Sequence, residues 1–216
     1  MKIKKIFLII VMIICLTGCT NINNLTYNDI VNNLSTQPKP ANVYKKGHQF
    51  YLPKGMAIED SGLSYSILSS FDTFYYLYVD VVSYNAKKDF KYEVNKDALY
   101  STLINYEGKS GYAEIKLWEN EQYLIEIIYN YAKIEVMVDE HLIKKALINS
   151  INILNSIKYN DQIIENLLQD DNLTYTEEVF DMFEEIKDDS TIIDIETEED
   201  KNEKVENEII DTDFLN

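Results

Sequence analysis

The chain contains no arginine, and all 20 of its basic residues are lysine. A site that grips phosphate or carboxylate with a planar, two-pronged guanidinium is therefore excluded. Cysteine is nearly absent too. The two present are Cys15 and Cys19, so residues 20–216 offer no thiol for a disulfide, a metal site or nucleophilic catalysis. The two histidines, His48 and His141, stand alone. There is no His-Glu-x-x-His run, and a zinc site needs clustered ligands. No Gly-x-Ser-x-Gly elbow occurs. Gly108-Lys109-Ser110-Gly111 resembles a phosphate loop only faintly, since it precedes an expected strand where a phosphate loop must precede a helix. No cofactor is expected from these residues.

A basic face is also missing. The net charge of −17 divides into +3 over residues 1–19, −2 over residues 20–160 and −18 over residues 161–216. Nucleic-acid binding rests on a basic surface and is disfavoured. Residues 161–216 read as an acidic tail, with short helices expected over Asp161–Gln169 and Thr174–Lys187 and disorder from Asp188 onward. Asp170-Asp171, Asp188-Asp189 and Glu196–Asp200 lack the spacing that wraps one calcium ion.

What is present begins at the N-terminus. Lys2, Lys4 and Lys5 precede an unbroken apolar run, Ile6–Leu16, which ends in Leu16-Thr17-Gly18-Cys19. Basic start, short apolar stretch and small residues at a cut are the three parts of an export signal. The run is shorter than the ~20 residues a spanning helix needs. Leu16-Thr17-Gly18-Cys19 resembles a bacterial lipobox. The resemblance implies a diacylglyceryl thioether on Cys19, removal of residues 1–18, and a protein lipid-anchored on the extracytoplasmic face of the cell membrane. Residues 19–46, polar and holding Pro38-Lys39-Pro40, read as a flexible tether with a short helix near Tyr27–Leu34.

Residues 47–160 read as one α+β domain. His48–Leu52, Leu63–Ile67 and Phe74–Tyr84 are expected strands. A short helix is expected within Val94–Asn105, with Leu99 and Leu103 on one face. Tyr112–Trp118, Tyr123–Tyr129 and Lys133–Val138 alternate with period two and are joined by short loops, which makes an antiparallel meander closed by Lys133–Val138. Asp139 is a candidate N-cap. The helix after it runs to about Ile157, with Ile143, Leu147, Ser150, Leu154 and Ile157 on one stripe that should cover the apolar face of the sheet.

Tyr51-Leu52-Pro53-Lys54-Gly55-Met56, the meander, and the helix ending Ile153-Leu154-Asn155-Ser156-Ile157-Lys158 together resemble the Mog1/PsbP-like α/β/α sandwich. Met56 stands where that family often has Trp. The resemblance implies that fold over residues 47–158 and a bias toward binding protein partners, with no shared catalytic residues to carry over.

Two outer-face groups are candidates for function. Tyr76, Tyr78, Tyr112 and Trp118 fall on the polar side of the strands and would form an aromatic surface for an envelope protein partner. The plainer account is that a second helix layer, from Val94–Asn105 or Asp161–Gln169, covers them, since strands favour aromatics anyway. Asp80, Glu114, Glu126 and Glu135 fall on the same side, where paired carboxylates could act on a glycosidic bond. A solvated face with cross-strand Lys–Glu pairs, using Lys116 and Lys133, is the plainer account. The expectation is a non-catalytic binding or accessory module, and an envelope hydrolase is the alternative.

Overall fold

The computed structural model describes residues 22–33 and 38–169. The expected signal segment, Cys19, and the expected helix over Thr174–Lys187 with the acidic stretch from Asp188 onward lie outside the described residues. In chain order, a 3-10 turn at Ile22–Asn24 leads into helix α1 (Tyr27–Asn32). Short strands β1 (Val43–Tyr44) and β2 (His48–Phe50) follow. Next come β3 (Ala57–Ser61), β4 (Tyr65–Ser70), β5 (Thr73–Val79) and helix α2 (Val81–Ala86). A long connection then reaches β6 (Tyr100–Tyr106), β7 (Lys109–Leu117), β8 (Tyr123–Tyr129) and β9 (Ala132–Val138). The chain continues through a 3-10 turn at Glu140–Leu142 into helix α3 (Ile143–Ser156), then β10 (Lys158–Tyr159) and helix α4 (Asp161–Leu168).

The main sheet is seven-stranded and wholly antiparallel, in the order β3-β4-β5-β9-β8-β7-β6. Two meanders are thus zipped together where β5 pairs with β9. The tight turns explain the registers. Glu107-Gly108 joins β6 to β7, and Asn130-Tyr131 joins β8 to β9, with positive φ at both residues of each turn. That backbone twist matches the twist of the flanking strands.

Period-two alternation sends Leu77, Val79, Ile125, Ile127, Ile134 and Val136 to one face, where each is buried. Helix α3 covers that face with Ile143, Ala146, Leu147, Ile151 and Leu154, so the expected stripe is the core-facing stripe. The apolar area removed from water here, at roughly 25 cal/mol per Å², is the main force holding the layers together. A smaller sheet, β1-β2-β10, closes one end.

Both segments flanking the expected domain contribute to it. Helix α1 carries a capping box: Asp29 N–H donates to the Thr26 hydroxyl at 3.1 Å, and Thr26 N–H donates to the Asp29 carboxylate at 2.8 Å. Its Ile30 and Val31 are buried. Helix α4 buries Ile164 and Leu167, and Ile164 packs against the bare backbone of Gly47.

Four expectations need correction. The helix expected within Val94–Asn105 is absent, and Tyr100–Tyr106 is edge strand β6. Tyr100, Thr102 and Ile104 alternate and pair with Ile115, Ala113 and Gly111, so β-favouring side chains and ladder bonds outweigh the Leu99–Leu103 spacing. The strand expected over Phe74–Tyr84 stops at Val79. There Asp80 accepts from Ser83 N–H at 2.8 Å and starts α2. Lys133–Val138 does not close the sheet but lies at its centre between β5 and β8. Asp139 begins the helical segment through its backbone carbonyl, which accepts from Leu142 N–H at 2.9 Å, and its side chain makes no cap.

Candidate functional site

The face of the sheet away from α3 is the candidate site. On it the strand registers assemble a row of carboxylates: Glu114 on β7 sits directly opposite Glu126 on β8, which sits directly opposite Glu135 on β9. Tyr76 on β5 continues that row beyond Glu135. The next row holds Tyr112, Ile128, Lys133 and Tyr78. Like charges directly opposite one another are destabilising, and three adjacent glutamates need compensation.

Lys133 supplies part of it. Its ammonium lies 2.9 Å from Glu135 and 4.0 Å from Glu126, and the residue is only 5 % exposed. Tyrosines supply more. The Tyr112 hydroxyl donates to Glu126, and the Tyr92 hydroxyl donates to Glu114. Asn95 donates its side-chain amide to Glu114 at 3.2 Å. Burial pushes the Glu126 carboxyl above its ordinary range, against the pull of Tyr112 and Lys133, and its contact with Glu135 pushes the same way. Burial, then the neighbouring Glu126, drives the Tyr112 hydroxyl well above the usual tyrosine range. The Tyr112 hydroxyl is thereby held as a hydrogen-bond donor to Glu126, and Lys133 and the surrounding donors offset part of the charge of the three carboxyl groups.

The connection from α2 to β6 lies over this row as an irregular strap. It leaves α2 through Lys87 in a left-handed conformation (φ 52°), and the Lys88 carbonyl accepts from the Tyr131 hydroxyl at 3.2 Å. Phe90 and Tyr92 stack on Tyr112, and Asn95 N–H donates to Ser101 on β6 at 3.0 Å. Phe90, Tyr92 and Asn95 were not among the residues singled out from sequence. The spacing of two between Phe90 and Tyr92 was the available signal, since it places both rings on one side of an extended segment.

The four aromatic candidates therefore have different settings. Tyr112 lies under the strap. Tyr76 and Tyr78 are half-buried and border an open cleft of about 310 Å³, together with Asp60, Tyr65, Ile67 and Glu135. Trp118 lies past the end of β7, where the Lys116 ammonium sits 5.5 Å from its ring centre, and it does not join the others. A second cleft, about 370 Å³, lies between the strap and the Asn130–Tyr131 turn and takes in Asp80, Phe90, Lys109 and Lys133. Asp80, read as a possible acid, is a helix cap. His48 is buried in the small sheet and His141 is exposed at the start of the helical segment.

Among the described residues, no group of three or more His, Cys, Asp and Glu is placed to hold a metal ion. No described helix is long and apolar enough to cross a membrane. Neither a family model nor a curated protein matches the chain.

Proposed function

We propose that the protein is an extracytoplasmic lipoprotein, anchored through Cys19, whose domain binds an envelope protein partner on the open half of its outer sheet face. One observation carries this reading. The strap occupies the β7–β8 side of the face, while on the β4–β5 side Tyr65, Ile67, Tyr76 and Tyr78 border a cleft that no other part of the described chain fills. Half-buried tyrosines around a concavity give large contact area at low conformational cost and keep a hydroxyl for hydrogen bonding. The order of strand, Pro53–Gly55 turn, meander and long helix ending at Ser156 supports kinship with the Mog1/PsbP-like group. The outer layer is a strap here, where an α/β/α sandwich would place a helix.

The test is crosslinked capture from intact cells. Tyr76→Ala should lose the partner while the domain stays folded, and unchanged capture would overturn the reading. Cys19→Ser should move the protein out of the membrane fraction.

A second reading, an envelope hydrolase, draws on Glu126 and Glu135 as adjacent carboxyl groups with Glu126 shifted upward. Retaining glycosidases hold their pair about 5 Å apart. Here each carboxyl group is engaged by Tyr112, Tyr92, Asn95 or Lys133 beneath a strap. Loss of wall-substrate turnover in Glu126→Gln would establish this reading, and absence of turnover in the unaltered protein would end it.

A further inference from the structure

The open cleft has a chemical bias as well as a shape. Its walls are the side chains of Tyr65, Tyr76, Tyr78 and Ile67, with Asp60 at the rim and Glu135 at the floor. Asp60 is held in place there: it accepts from Ser61 N–H at 2.7 Å and from the Tyr65 hydroxyl at 3.1 Å. Lys133 also reaches the floor, but its charge is matched within the molecule. The ammonium is 2.9 Å from Glu135 and 4.0 Å from Glu126, with Glu114 in the same row. Among the described residues the cleft itself is lined by two carboxylates, Asp60 and Glu135, and one ammonium, Lys133, so its balance is negative and the surplus charge is that of Asp60. Aromatic faces attract cations through the ring quadrupole, and a negative lining adds to that attraction.

We infer that the Tyr65–Tyr76–Tyr78 cleft takes a cationic side chain from the partner, an ammonium group on an aliphatic stem. The stem would lie against Ile67 and the tyrosine rings while the charge faces Asp60 and the floor. An anionic group would meet the carboxylates of Asp60 and Glu135. A purely apolar group would leave that field unused. This rests on the reading that the open half of the outer face is the binding surface.

The experiment is an NMR titration of the mature chain, residues 19–216, carrying Cys19→Ser. Butyltrimethylammonium is compared with its neutral isostere, 2,2-dimethylhexane, and with butanesulfonate. The expected result is that the cation alone moves the ring signals of Tyr65, Tyr76 and Tyr78, and that Asp60→Asn weakens it roughly five-fold. Asp60 is exposed, so this variant keeps the fold. Equal shifts with the neutral isostere, stronger shifts with the sulfonate, no shift with any of them, or an unchanged affinity in Asp60→Asn would each overturn the inference. The capture experiment with Tyr76→Ala reports separately on whether this face binds a partner at all. A partner that depends on Tyr76 without any preference for the cation would sink the ligand class and leave the surface standing.

Discussion

Tyr92 lies flat on Tyr112, with ring centres 3.8 Å apart and planes 4° apart. The two hydroxyls diverge: Tyr92 donates to Glu114 and Tyr112 donates to Glu126. One ring comes from the strap and one from β7, so a single stacked pair fastens the strap and serves two neighbouring carboxyl groups.

Tyr92→Phe and Tyr92→Ala separate these roles. Tyr92→Phe keeps the stack and removes one donor from Glu114, which retains Asn95, so the loss should be about 1 kcal/mol. Tyr92→Ala also removes the stacked ring and should cost roughly 2–3 kcal/mol. Denaturant unfolding gives both numbers. Hydrogen exchange should show faster opening of β6 in Tyr92→Ala, because Ser101 is tied to the strap through Tyr92 and Asn95. Unaltered exchange at Ser101 would mean that the strap does not hold the edge strand.

The central strands were legible because Ile125, Ile127, Ile134 and Val136 alternate cleanly with polar residues, and a one-residue slip would turn them all outward. The helix stripe from Ile143 to Leu154 was legible for the corresponding reason at helical period. Sheet order was not. Nothing local to Ala132–Val138 says that it pairs with Thr73–Val79, where even the nearest partners in sequence, Val79 and Ala132, are 53 positions apart, because β pairing is a long-range choice. The glutamate row had the same obscurity. Glu114, Glu126 and Glu135 read as outer-face residues of neighbouring strands, and only the registers place them directly opposite one another. The strap is otherwise aperiodic, and the spacing of two between Phe90 and Tyr92 puts both rings on one side without saying that Tyr112 is what they cover. Ile164 shows a further limit. Its contact with Gly47 depends on a glycine over a hundred positions away and was invisible in the acidic composition around it.

Glu126→Gln tests how the row tolerates its charge. A carboxyl group whose folded pKa is raised binds its proton more readily in the folded state than in the unfolded chain. Its contribution is present at low pH and is lost as pH rises through the folded value. Glutamine imitates the protonated form and still accepts from Tyr112, and Lys133 keeps Glu135. The variant should be as stable as the parent in mild acid and more stable at pH 7–8. A variant weaker than the parent at pH 8 would show that the Lys133–Glu126 attraction outweighs the crowding of carboxylates. Thermal unfolding across pH 4.5–8 decides between them.

His48 should produce the opposite slope. It is buried in β2 beside Phe50, its Nδ1 has no hydrogen-bond partner among the described residues, and burial together with nearby Lys45 depresses its pKa to about 4. The unfolded chain takes up this proton near pH 6.5, whereas the folded protein resists it until about pH 4. Stability is therefore full above pH 6.5 and falls as the pH drops toward 4, by about 3 kcal/mol if the whole shift is expressed. Substituting His48→Leu should remove this slope and leave that of Glu126. Because His48 pairs with Tyr159 just before α4, acid should loosen α4 first, which hydrogen exchange at Ile164 would report. Equal slopes in parent and His48→Leu would assign the acid sensitivity elsewhere.

Gly111→Ala probes the strand that carries Tyr112 and Glu114. An added Cβ at Gly111 would lie 1.9 Å from the Ile128 carbonyl oxygen and 2.8 Å from the Tyr129 Cα, both backbone atoms of the neighbouring strand. Neither can swing aside as a side chain can, and Asn130 N–H is bonded to the Ser110 carbonyl at 3.1 Å next to the clash. Either β7 and β8 part locally or the register slips. The loss should be roughly 2–3 kcal/mol, in the upper range for overpacking. Gly55→Ala is the control. Gly55 has open space around its Cβ but a φ of 87°, so only left-handed strain applies and about 1 kcal/mol should be lost. A shift of β7 would also carry Tyr112 off Glu126 while leaving Tyr65, Tyr76 and Tyr78 in place. Gly111→Ala at low temperature should therefore lose strap protection and still present the open cleft, whereas loss of both together would mean that the two halves of the outer face are one cooperative unit.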